Sequence, residues 1–467
     1  MFKNFLASIT RNGLSLAGTG LAVASAVLII SLFFMEQLGF EGGPYLGILT
    51  YLILPMLFVF GLILIPAGAV LFRRKLRRIH GDDRAPKLPV FDLNVSRTRR
   101  WLFIFLGATM FNIVVLAGAT YKGVEIMESV EFCGLACHSV MEPEHTAYQR
   151  SAHSRVACAE CHIGPGADWF VKSKLDGAWQ LVAVALDLYP RPVPTPLHDL
   201  RPARETCEQC HWPNKFVGDK LSIRKRYADD ETNTELTTAL LLKVGGTEGE
   251  RSHGIHWHVD PGVQIRYRSD PSREEIYEVE FTNGDGEMKH FTDRRAPEEG
   301  GEWREMDCVD CHNRPSHKYF PPEIEVDRAL VEGQIDKSLP FVKREAVRIL
   351  DAQYQSHEEA RTEIAAELTK FYTDNYPEIA EAQAETIATA STTLGDVYSV
   401  NVFPQMQVWW NTYPEHIGHE TSEGCFRCHG RRLRTEDREQ ISQDCDVCHT
   451  VLAEKEENPS ILDLLNQ

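Results

Sequence analysis

Twelve cysteines occur in the 467-residue chain, and each belongs to a pair whose second member is followed by histidine. Five pairs read C-x-x-C-H: Cys158, Cys161 and His162; Cys207, Cys210 and His211; Cys308, Cys311 and His312; Cys425, Cys428 and His429; Cys445, Cys448 and His449. The first pair, in "CGLACH", sets three residues between Cys133 and Cys137, ahead of His138. Two thiols at this spacing add to the two vinyl groups of a haem while the adjacent imidazole reaches the iron. Disulfides would suit an exported chain but impose nothing after the second cysteine. Zinc ribbons use C-x-x-C pairs without that histidine. Histidine fills 18 of 467 positions, so six such coincidences arise by chance on the order of once in 10⁹. The pattern predicts a multihaem cytochrome c with six covalently attached haem c groups. The extra residue of the first motif must bulge for both sulfurs to reach the vinyl positions.

Three segments, 14–34, 45–72 and 101–121, carry no charged residue and are long enough to span a bilayer. The first reads as a span rather than a cleaved leader, because its apolar run exceeds a leader's and two more follow. The loop 35–44 has no basic residue, whereas 73–100 has ten. Basic loops stay on the cytoplasmic side, so everything after residue 121 is expected on the periplasmic or exterior face of the cytoplasmic membrane. Up to residue 121 there are 12 basic and 5 acidic residues; beyond it there are 37 and 62, a net of −25. Such an acidic body excludes nucleic acid as a partner and favours basic or metal-laden ones. No histidine lies within a span, which argues against intramembrane haem b.

The expected fold is a membrane-anchored multihaem cytochrome c. Three N-terminal transmembrane helices (1–121) precede a mainly α and irregular haem-packed domain, with four motifs in 122–320. A small β-rich insertion is predicted at about 217–296, where "VQIRYR" and "EIYEVEF" alternate and "NGDG" signals a hairpin. A helix-periodic segment (321–400) and a two-haem segment (401–467) follow.

With this motif order and anchor, the chain resembles the NapC/NirT family of membrane-anchored quinol dehydrogenases over roughly 101–320. The most specific stretches are "CVDCHNRPSH" and "SAHSRVACAECH"; "GIHWH" and "YPEHIGHETSEGCFRCH" extend the likeness to a longer subgroup. Two additional spans, the lengthened first motif, the insertion and the last two motifs depart from the family pattern.

The resemblance implies distal ligands for low-spin haems. His153 would serve haem three and His317 haem two. One of His256 and His258 would serve haem four, while His416 and His419, three apart before the fifth motif, are candidates for haems five and six. For haem one the resemblance offers Met141, three residues after His138 rather than two, with His145 as competitor. It also implies a quinol pocket with Lys174, Asp176 and, as alternative, Lys172; quinol oxidation needs groups that accept protons.

These features together predict oxidation of menaquinol or ubiquinol and delivery of electrons to periplasmic cytochromes or reductases, or to extracellular acceptors. One alternative is a non-catalytic conduit that docks on another membrane complex through its extra spans, among the membrane lipid. A terminal nitrite or sulfur-oxyanion reductase is the weaker one, because no C-x-x-C-K motif is present.

Overall fold

A computed structural model of the chain describes residues 12–37, 49–80, 93–136, 138–197, 201–212, 218–245 and 254–465. It falls into two compact units, 1–138 and 139–467. The centre of the basic loop, most of loop 35–44 and Cys137 lie outside the described residues.

In the first unit, helices Gly13–Gln37, Leu54–His80 and Ser96–Met127 are each long and apolar enough to cross a membrane. The first two touch through small residues. A Cβ on Gly18 would stand 2.8 Å from the Gly61 carbonyl oxygen, and one on Gly61 would stand 2.8 Å from that of Gly18. Such close backbone approach is how helices gain dispersion contact where lipid offers no hydrophobic drive. Ser15 adds a hydrogen bond, its hydroxyl donating to the Ile65 carbonyl at 2.8 Å. The lengthened first motif begins in a π-helical turn, Phe132–Ala136, the wider winding that takes in an additional residue.

Among its described residues the second unit contains a helical body and two sheets. Helices Pro322–Val331, Val342–Leu350, His357–Asn375 and Ala384–Asn401 bury one apolar face each. Leu339, Leu368, Tyr372, Leu394 and Tyr398 have no exposed surface. Ser356 caps the third of these helices by accepting from the Glu359 amide.

The strands are β1 (Lys220–Tyr227), β2 (Glu235–Leu242), β3 (Gln264–Ser269), β4 (Ile276–Thr282), β5 (Met288–Asp293), β6 (Glu302–Glu305), β7 (Leu433–Arg434) and β8 (His449–Glu456). One sheet has the order β1-β2-β8 and the other β6-β3-β4-β5-β7. The predicted hairpin forms, with Thr282 opposite Met288. The region 217–296 is not self-contained, however. β8 pairs with β2 from Leu242↔His449 to Thr237↔Glu456, and β7 pairs with β5. The β2–β8 pairing spans more than 200 residues of sequence and the β5–β7 pairing about 140, and together they join the C-terminal motifs to the β-rich region in a single body.

Candidate functional site

The second to sixth motifs sit on or beside helices of four or five residues, such as Cys158–His162, Cys308–Cys311 and Cys445–Cys448. One helical turn places cysteines three apart, and the histidine after them, along the same face. Asp307 anchors two motifs at once. It caps the fourth-motif helix at the Cys308 amide (2.6 Å) and accepts from the amides of Ala203 (2.9 Å) and Arg204 (3.3 Å), which open the helix leading into the third. The fifth motif joins the fourth through Arg427, which donates to the Asp310 carbonyl at 2.7 Å. Asp310 itself is buried, accepting from Tyr267 (2.6 Å) and Arg304 (2.7 Å).

Successive motifs are neighbours. The Cys161 thiol is raised by burial first and then by the nearby Cys207. Cys207 and Cys308 share a hydrogen bond that lowers the former thiol and raises the latter. Burial, then Cys425, raises both Cys311, pushed up to about 12, and Cys448. The spatial order of motifs two to six thus follows the chain.

Each motif histidine of this series faces one histidine from elsewhere. His162 faces His317 with ring centres 6.2 Å apart, and His211 faces His153 at 5.9 Å. His312 faces His256 at 6.4 Å, His429 faces His258 at 5.7 Å, and His449 faces His419 at 6.2 Å. Two imidazoles bound on opposite sides of one metal, each nitrogen about 2 Å from it, have ring centres roughly 6.3 Å apart. The five pairs fit that span.

Their hydrogen bonds fit it too. The Nδ1 of His153, His258, His317 and His429 donates to the carbonyls of Pro315 (3.3 Å), Ile255 (2.8 Å), Glu144 (3.0 Å) and Ser442 (2.7 Å). A backbone acceptor on Nδ1 fixes the tautomer and leaves the Nε2 lone pair for a metal. Burial lowers His162, His256, His258, His312 and His317, favouring the neutral, ligating form.

His416 is not among these pairs. It is buried, with Nδ1 3.2 Å from the Asp310 carbonyl oxygen and Nε2 2.9 Å from the Glu274 carboxylate. Its amide donates to Asn313 at 2.9 Å. Met141 and His145 lie on helix His138–Gln149, where His145 Nε2 is 3.5 Å from Gln149. The His138 side chain, like Cys137, lies outside the described residues. Lys174 and Asp176 occupy helix Ala167–Ala185. Two residues apart on a helix they point to different sides, and it is Lys172 that shares a face with Asp176. Lys174 Nζ stands 4.8 Å from the centre of the Phe170 ring. Glu144, Asp307 and Arg427 position the motifs without having been singled out in the sequence; short-range spacing carries no sign of them.

A model of the NapC/NirT cytochrome c family, N-terminal region, matches residues 95–189. The cytochrome c-type protein ImcH of Geobacter sulfurreducens is 43% identical over 454 residues, covering 96% of this chain and 89% of that protein. The chain belongs to the NapC/NirT cytochrome c family. The cytochrome c-type protein TorC of Escherichia coli K12 is similar over a shorter stretch, 33% identical over 86 residues, 17% of this chain and 22% of TorC. No solved structure matches. This NapC/NirT cytochrome is thus an electron-transport protein with covalently bound haem c, held in a membrane by apolar N-terminal helices.

Proposed function

We infer that this cytochrome carries six haem c groups, oxidises membrane quinol, and relays the electrons outward to periplasmic or extracellular acceptors. The observation that carries the relay is the set of five imidazole pairs, each joining a motif histidine to a second one at a separation suited to an iron. Bound haem c supplies a one-electron iron couple whose potential follows ligand and burial. Cys158/Cys161, Cys207/Cys210, Cys308/Cys311, Cys425/Cys428 and Cys445/Cys448 hold five groups, and Cys133/Cys137 with His138 the sixth.

The chain's own residues order the path. Asp307 locks motif three to motif four, and Arg427 locks motif four to motif five. Lys174 is assigned to the quinol site, holding or passing a proton as quinol is oxidised. Its helix exposes Val171, Leu175 and Trp179 at four-residue spacing, an apolar stripe suited to a lipid-soluble substrate. The span pattern and the basic loop favour placing the haem body on the periplasmic face.

The test is reduction of the purified protein by a menaquinol analogue, alongside its haem mass. Six haems and quinol-dependent reduction are expected, with Lys174→Met slowing reduction at least tenfold and leaving dithionite reduction complete. A protein that dithionite reduces fully and quinol does not reduce would be a conduit for another quinol-oxidising complex.

A further inference from the structure

His256 and His258 lie on a 3₁₀ turn, Ile255–Val259, rather than on an extended strand. With three residues per turn, residues two apart diverge by about a third of a circle, so the two imidazoles cannot meet at one metal. They point at different motifs: His256 pairs with His312 of the fourth, and His258 with His429 of the fifth.

Between them, Trp257 packs its ring 5.3 Å from Phe281 of β4, against the cluster that includes Ile265, Tyr267 and Leu433. The turn is pinned at its start. Gly254 has φ of +77°, and a Cβ there would lie 2.2 Å from the Lys243 carbonyl oxygen, so the position requires glycine. The Ile255 amide donates to that carbonyl at 2.8 Å, and the His256 amide to the Val244 carbonyl at 3.1 Å. Lys243 in turn donates its amide to the Cys448 carbonyl at 2.8 Å, which ties the same backbone to the sixth motif. From the other side Arg427 clamps the fifth motif to the fourth.

We propose that residues 254–258 form a two-headed strap, His256 ligating the fourth haem iron and His258 the fifth, with Trp257 as the positioning residue that anchors both to the sheet. The strap makes the four-motif region and the C-terminal pair one continuous relay, the junction fixed by two residues of backbone. It rests on the haem reading given above, which is checked separately by mass and peptide mapping of the unaltered protein: haem missing from the first motif counts against that reading and not against the strap, whereas haem missing from the fourth or fifth motif overturns both.

The experiment uses the full-length protein with all haems attached. His256→Met and His258→Met each retain a sixth ligand and so a low-spin iron. By near-infrared magnetic circular dichroism, each single variant moves one haem from the bis-imidazole to the imidazole–thioether class, with a raised midpoint potential for that haem. The double variant moves two. A double variant that moves only one haem, or a single variant that moves none, overturns the proposal. Trp257→Ala removes neither imidazole, yet it is expected to give a high-spin fraction on two haems together, reversed by Trp257→Phe. An unaltered spectrum in Trp257→Ala removes the anchor role, even where the methionine variants do not accumulate.

Discussion

The helical body at 322–401 and the motif-bearing segments around it fold on different principles. The helical body buries whole side chains, among them Leu339, Leu368 and Tyr398, and its helices run nine to nineteen residues apart from one short turn, Pro377–Ala382. The motif segments have helices of four or five residues, too short to hold by themselves. They are held by carboxylate caps, arginine clamps and, in the reading above, thioether and iron bonds. One region takes its stability from apolar area, the other from what is attached to it.

The strongest way to break this contrast is to withhold the haem. A chain produced without haem attachment is expected to keep slow amide exchange across 322–401 and to lose it at 201–212, 254–259 and 425–449. Hydrogen exchange with mass spectrometry reads this; equal protection in both regions erases the distinction. Within the helical body, Lys343 and Asp327 form a buried pair at 2.7 Å. Removing Lys343 leaves the Asp327 charge with Arg226 at 3.5 Å and the Tyr227 amide, so Lys343→Met should cost about 3–5 kcal/mol, whereas adding Asp327→Asn, which removes the charge and keeps an acceptor for that amide, should recover part of it. Denaturant melts of the single and double variants decide. Leu368→Ala should cost about 2–5 kcal/mol by opening a cavity and leave every haem band in place.

His416 and His419 sharpen the contrast from the other side. His416→Ala should cost about 1–3 kcal/mol through its lost hydrogen bonds with an unchanged haem spectrum. His419→Met should do the reverse, altering one haem and leaving the helical melt alone. The smallest effect is a pH slope. Burial, set against the attraction of Asp327, depresses Lys343 below its ordinary 10.5. Between the folded value and 10.5 the unfolded chain holds the proton that the folded chain does not. Stability therefore rises with pH through that window, being fully present above 10.5 and lost as pH falls through the folded value. Lys343→Met should flatten the slope.

Motif spacing made the paired cysteines and their adjacent histidines legible in the sequence, because that pattern is local. The three spans and the β4–β5 hairpin were legible for the same reason. The resemblance implies His153 for the third motif and His317 for the second, and the His153 ring lies 5.9 Å from that of His211 and the His317 ring 6.2 Å from that of His162. The partner of His429 was not legible. His258 comes to it because β3 and β4 carry Trp257, while β7, from the far end of the chain, completes the same sheet; no window of sequence contains that arrangement. The different settings of His416 and His419 were equally hidden. His416 is held by Glu274, more than 140 residues away, while the His419 ring lies 6.2 Å from that of His449. Lys174 and Asp176 share a segment but not a face, since the helix Ala167–Ala185 turns about 100° at each residue.

The sheet that holds the sixth motif has a consequence for timing. β2 ends at Leu242, and its second neighbour, β8, begins at His449. During synthesis β2 therefore presents one unpaired edge until about two hundred further residues have been made, a long wait for a surface that other strands can join. Because β8 begins with the sixth-motif histidine itself, the residue that completes the last imidazole pair also starts the strand that closes the edge.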